Sequence, residues 1–179
     1  VQRRAAFTPA ARAYGLRALV PAHEPISADT IYDAASLTKV IATTTAIMQL
    51  VERGRLELDA PVVRYLPAFG VHNKGAVTVR QLLDHHSGLR PDVDLKPVWS
   101  GYATGVALAC AEKLRSPPGS TFVYSDINFI ILGELVRLAS GRRLDAGDAA
   151  WSLQRVLALN LAPATVWKSY GFTKANAVT

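Results

Sequence analysis

A serine and a lysine three residues apart stand at the head of a long apolar run. Ala34-Ala35-Ser36-Leu37-Thr38-Lys39 leads directly into Val40-Ile41-Ala42-Thr43-Thr44-Thr45-Ala46-Ile47-Met48. In that run Val40, Ile41, Thr44, Ile47, Met48 and Val51 recur at helical spacing and predict one inward stripe, and Gly54 suits the position that ends such a helix. The stretch therefore predicts a helix with a buried face and a reactive head. Positions i and i+3 share a helix face, so Lys39 stands beside Ser36 without any long-range folding. A serine hydroxyl is a poor nucleophile until a neighbouring base takes its proton. The helix start adds unpaired backbone N–H groups and a partial positive charge, both of which favour an oxyanion. Nucleophile, base and part of an oxyanion site thus fall within four residues.

The pair alone does not identify a chemistry. Ten serines and six lysines in 179 residues produce this spacing by chance roughly 0.3 times, and the bland reading is an N-capping serine with a solvated lysine. Composition narrows the field. Half the residues are hydrophobic and 19% are charged, which describes a globular chain of one domain rather than a disordered one. Net charge is +6, but the twenty Lys and Arg are scattered and no aromatics interleave with them, so no nucleic-acid partner is expected. His23, His72, His85 and His86 show no metal-ligand spacing, so no metal and no cofactor are expected. The single cysteine, Cys110, lies in an apolar run and reads as a small buried hydrophobe. No segment reaches eighteen apolar residues, so no membrane span is expected. No basic-then-apolar leader is visible, and the compartment is left open.

Along the chain, Ala18-Leu19-Val20 reads as a short strand and 21–25 as loop. Asp59 reads as an N-cap with Pro61 in a first helical turn and Pro67 as its stop. Thr78 with Gln81 three residues on is a capping box that opens a helix from Val79 to His86. Residues 89–103 read as loop, a third helix runs from Thr104 to Leu114, and Pro117-Pro118-Gly119 is a turn. Thr121 to Tyr124 is extended. Ser125 or Asp126 then caps a last helix, with Ile127, Ile130, Ile131, Leu135 and Leu138 inward and Gly141 after its end.

Three islands fit a single pattern: Ser36-Leu37-Thr38-Lys39, Leu82-Leu83-Asp84-His85-His86-Ser87-Gly88-Leu89 and Tyr124-Ser125-Asp126. In order and separation they resemble the serine β-lactamase-like superfamily, in its branch of class C β-lactamases, carboxylesterases and DD-peptidases. The similarity covers roughly residues 28–144, while 145–179 reads as a divergent tail of the same single domain, 1–179. The resemblance implies an α+β fold of β-lactamase/transpeptidase type, here mostly its helical region with a reduced antiparallel sheet. It implies Ser36 as the acylated nucleophile, Lys39 as the lysine that helps take its proton, and Tyr124 as the base that shuttles the proton to the leaving group. Asp126 occupies the place of an Asn that binds substrate and lysine. A carboxylate cannot donate as an amide does, so Asp126 is expected to hold Lys39 charged and shift the burden of base to Tyr124. Asp126 can also serve as a helix N-cap, alone or alongside that role. His85 and His86, at a helix end beside Ser87-Gly88, are expected to pack or to meet the helix dipole rather than act as bases.

The resemblance also implies a third motif, a Lys- or His-led tripeptide ending in Gly on an edge strand. The nearest string is Lys168-Ser169-Tyr170-Gly171, with its Gly one residue late and too soon after Tyr124. The expectation is a partial domain whose incomplete sheet favours self-association. The reaction expected is hydrolysis of a small ester, amide or β-lactam through a Ser36 acyl-enzyme. The alternative is a non-catalytic penicillin-binding-like or inactive truncated relative.

Overall fold

The computed structural model describes residues 12–30 and 35–141. The chain divides into two units, Val1–Tyr32 and Asp33–Thr179. In the first, β1 (Leu16–Ala18) pairs antiparallel with β2 (Glu24–Pro25), with an irregular register between Leu16↔Pro25 and Ala18↔Glu24. The strand expected at 18–20 therefore sits two residues earlier, and part of the expected loop is its partner. Arg17 and Glu24 meet at 2.7 Å across the pair, both well exposed.

Among the described residues the second unit holds four α-helices: α1 (Thr45–Glu52), α2 (Val79–Leu83), α3 (Tyr102–Ala111) and α4 (Asp126–Ser140). α4 is the hub, packed on α1, α2 and α3. Its Ile127, Ile131, Leu132 and Leu135 are fully buried against a cluster that includes Ile47, Val62, Phe69, Leu82 and Leu89. Each such side chain contributes roughly 1.5–3 kcal/mol when removed from water. Of the expected inward set on α4, Leu138 is instead exposed, while Ala139 beside it packs on the core. Gly141 closes α4 with φ +73°, as the sequence predicts.

The Ser36 helix differs from its expected form. Lys39–Thr44 is wound as a π-helix that passes into α1. The wider turn shifts the phase of the stripe. Val40 and Met48 are exposed, while Ala42, Thr43, Ala46, Ile47 and Leu50 face the core. At the far end Gly54, with φ +67°, gives a Schellman closure: Gly54 N–H bonds Val51 O and Arg55 N–H bonds Leu50 O.

No helix follows Asp59. Arg80 takes its carboxylate at 2.6 and 2.8 Å, and the backbone pairs across to Thr78, with Val62 N–H on Val77 O at 2.8 Å. Pro61 is accordingly extended, and only short 3₁₀ turns, Val62–Arg64 and Pro67–Gly70, follow. Pro67 thus opens a turn where a stop was expected. The capping box at Thr78 and Gln81 is present in both directions, but α2 ends at Leu83 because His85 turns left-handed, φ +62°. α3 also ends early. Glu112 leaves the helix extended, its side chain bonded to Arg90 and its carbonyl to Lys74. Cys110 is buried as expected, and burial pushes its thiol above the ordinary range.

Candidate active site

Ser36 sits on the turn that starts the helix, with Lys39 N–H bonded to Ser36 O at 3.0 Å. The residue before it, Ala35, has φ +42°, a left-handed conformation that a non-glycine residue adopts only under constraint. The turn thus sets the serine on a strained corner. Lys39, one turn on, is buried, and its Nζ donates to Ser36 Oγ at 3.1 Å. The same Nζ meets Asp126 Oδ1 at 2.7 Å, with the lysine side chain 4% exposed and the aspartate 17%. At this burial the ammonium is held by partners rather than by water.

Asp126 arrives from the strap 122–125 that leads into α4, and each residue of that strap's end is tied down. Val123 N–H bonds His85 O at 2.9 Å, Asp126 N–H bonds Pro91 O at 2.7 Å, and Ser125 Oγ donates to Arg90 O at 2.6 Å. Ser125 is therefore the N-cap residue of α4 by position, but its side chain makes no capping bond. Asp126 is the first helical residue, and its carboxylate meets Lys39. The N-cap position of α4 belongs to Ser125, not Asp126.

Tyr124 meets the Lys39 ammonium with its ring face, Nζ lying 4.8 Å from the centroid, and Phe129 lies behind it at 5.8 Å. Tyr124 is 46% exposed. His85 lies against the Tyr124 ring at 4.6 Å between centroids. The structure therefore gathers all four sequence-predicted site residues, Ser36, Lys39, Tyr124 and Asp126, around one ammonium. It also gives the residues of the 82–89 island partners that local sequence did not show. His85 Nδ1 accepts the Ser125 N–H at 3.0 Å. Ser87 Oγ, fully buried, donates to Asn128 Oδ1 at 2.6 Å and accepts from Leu89 N–H. These partners lie about forty residues apart, beyond the reach of any periodicity. Among the described residues no cluster of His, Cys, Asp or Glu has the arrangement of a metal site, and no helix is long and apolar enough to cross a membrane.

The family model for Beta-lactamase matches residues 8–146. The chain belongs to the β-lactamase family. Among the relatives of this β-lactamase-family chain is penicillin-binding protein 4 of Amycolatopsis lactamdurans, 32% identical over 125 residues, covering 67% of this chain and 32% of that protein. The crystal structure of a D-stereospecific amidohydrolase from Streptomyces sp. superposes with a TM-score of 0.61 at 30% identity, over 73% of this chain and 42% of that one. A penicillin-binding protein homologue from Caulobacter crescentus gives 0.60 at 32% identity, over 68% of this chain and 33% of that one. The fold is thus of β-lactamase/transpeptidase type, helical here with one small antiparallel pair among the described residues. The chain spans about a third of the length of the curated relatives it matches. The string Lys168 to Gly171 lies outside the described residues.

Proposed function

We propose that this β-lactamase-family chain carries the acylation centre of a serine hydrolase for small esters, amides or β-lactams, within a single domain that is family-like over about 28–144. One observation carries the reading: a buried Lys39 Nζ 3.1 Å from Ser36 Oγ, at the open end of a helix. In the proposed reaction Ser36 Oγ attacks the acyl carbon. Its proton passes to the base formed by Tyr124 with Lys39 beside it, and then leaves with the alcohol or amine. Water cleaves the acyl-enzyme by the reverse path. Esters are the favoured substrates, because their leaving group asks least of the proton donor. Leu37 and Val40, both 59% exposed beside Ser36, offer apolar surface to an acyl chain. No cofactor or metal is needed for these steps.

The experiment is labelling with a fluorophosphonate or a fluorescent penicillin, followed by mass analysis of the Ser36 peptide. The wild type is expected to take one label on Ser36 and Ser36→Ala none, with Lys39→Met slowed by about 10²-fold. Equal labelling of wild type and Ser36→Ala would overturn the assignment. A second reading rests on the Lys39–Asp126 ion pair. A lysine held charged is a weak base, which favours an acyl-enzyme that forms and then persists, as in a penicillin-binding protein. A product burst without turnover would select it.

A further inference from the structure

We propose that His85 is a positioning residue that works only as the neutral imidazole with Nδ1 as acceptor, fixing the Tyr124-Ser125-Asp126 strap against Lys39. The proposal rests on the hydrolase reading of that site for its kinetic consequence, but its geometric content stands separately. His85 grips the strap at three points. Its carbonyl accepts the Val123 N–H at 2.9 Å, its Nδ1 accepts the Ser125 N–H at 3.0 Å, and its ring lies on Tyr124 at 4.6 Å between centroids, tilted by 33°. Phe129, from the first turn of α4, backs the ring at 5.3 Å, and Phe122 meets its edge at 5.7 Å.

A backbone N–H can only donate. Nδ1 must therefore carry a lone pair, which places the remaining ring proton on Nε2. Protonating Nδ1 would turn the acceptor into a donor facing a donor. It would orphan the Ser125 N–H and release the strap at the residue between Tyr124 and Asp126. The surroundings of the ring oppose protonation, burial first. Burial and the Lys39 ammonium push the imidazole below its ordinary 6.5, His86 on the same turn adds to that, and Asp126 and Asp84 pull the other way. Asn128 is the remaining polar neighbour, its Nδ2 3.5 Å from Nδ1.

The backbone supplies the discriminating variant. His85 has φ +62°, a conformation that Asn tolerates better than other side chains. An Asn amide oxygen can also lie where Nδ1 lies and accept the same N–H, yet it does not titrate. Leu fills the space but accepts nothing. Wild-type labelling of Ser36 is expected to fall by about tenfold through a single ionisation below pH 6.5, on the scale of one lost buried hydrogen bond. His85→Asn should keep its labelling rate through that range. His85→Leu should label about tenfold more slowly at every pH, with near-UV circular dichroism confirming that it folds. Independently of activity, ¹⁵N NMR of the ring at pH 7.5 should show Nε2 protonated and Nδ1 bare, and the Ser125 amide should move with the His85 titration.

A protonated Nδ1 at pH 7.5, or an acid limb unchanged in His85→Asn, overturns the proposal. If no variant labels while the NMR signature holds, the hydrolase reading fails and the placement of the strap by neutral His85 is supported.

Discussion

At the scale of single residues, the chain's chemistry turns on what surrounds one ammonium. Lys39 is within 3.1 Å of the serine and 2.7 Å of a carboxylate, and those two partners pull its behaviour apart. In the proposed reaction the serine needs a base, while a carboxylate 2.7 Å from the lysine favours its charged form. An amide at 126 would keep a hydrogen-bond acceptor on the lysine and remove the charge. Asp126→Asn is therefore expected to raise the rate of Ser36 labelling at pH 7 by about fivefold. The check is the second-order rate constant with the same probe on both proteins. A slower Asp126→Asn would mean that the charged lysine, not the free amine, is the working form. Ser36, Lys39, Tyr124 and Asp126 were all legible as residues, because their types and spacing form three recognisable islands. Their mutual geometry was not. The resemblance put Asp126 in reach of Lys39, and its charge made it an ion-pair partner, but the ring-face contact of Tyr124 and the left-handed Ala35 before the serine have no sequence signature.

At the scale of elements, closures and corners decide where side chains end up. Capping chemistry is local, so the box at Thr78 and Gln81 and the glycines after α1 and α4 could be placed from sequence to the residue. Two glycines with the same backbone hand show how different the demands can be. Gly54 has φ +67° and open space where a Cβ would stand. Gly88 has φ +82°, and a Cβ there would lie 2.2 Å from Ser116 O. That carbonyl belongs to a loop bonded back to the turn, with Arg115 N–H on Gly88 O and Gly119 N–H on His86 O, each at 2.7 Å. Neither backbone can yield. Gly54→Ala is expected to cost about 1 kcal/mol, the left-handed penalty alone. Gly88→Ala should cost about 3 kcal/mol or more and carry His85 with it. Urea titrations of the two variants measure the difference, and similar midpoints would contradict the packing. The π turn at Lys39–Thr44 is the element that sequence misread. Helical spacing assumes 3.6 residues per turn, and a wider turn rotates Val40 out and Thr43 in.

At the scale of the whole molecule, a polar tie sits in the middle of the apolar packing. Lys74 is fully buried, its Nζ donating to Val71 O at 2.9 Å and to Glu112 O at 2.5 Å, over the ring of Phe69. It joins the 3₁₀ turns to the end of α3. Lys74→Met would fill the space and strand two carbonyls, and is expected to cost about 2 kcal/mol in chemical denaturation. Burial lowers the Lys74 ammonium below its ordinary 10.5. In the window between the folded value and 10.5 the unfolded chain binds the proton more tightly, so this group makes stability rise with pH there. The Met variant should lack that rise, and parallel pH–stability curves for the two proteins would rule the account out.

The family-bearing islands, the residue types at the site, the capping box and the glycine closures were all legible in the sequence. These depend on neighbours within one or two turns, or on short strings whose chemistry is carried by residue identity. The tertiary structure alone decided the rest. The fate of Asp59 followed from Arg80, 21 residues away. The early end of α3 followed from Arg90 and Lys74, and the tautomer of His85 from an N–H donor forty residues on. At Glu112 and His85 the distant partner won because burial makes an unpaired polar group costly. The exposed Asp59–Arg80 pair forms because the packed chain brings the two side chains together.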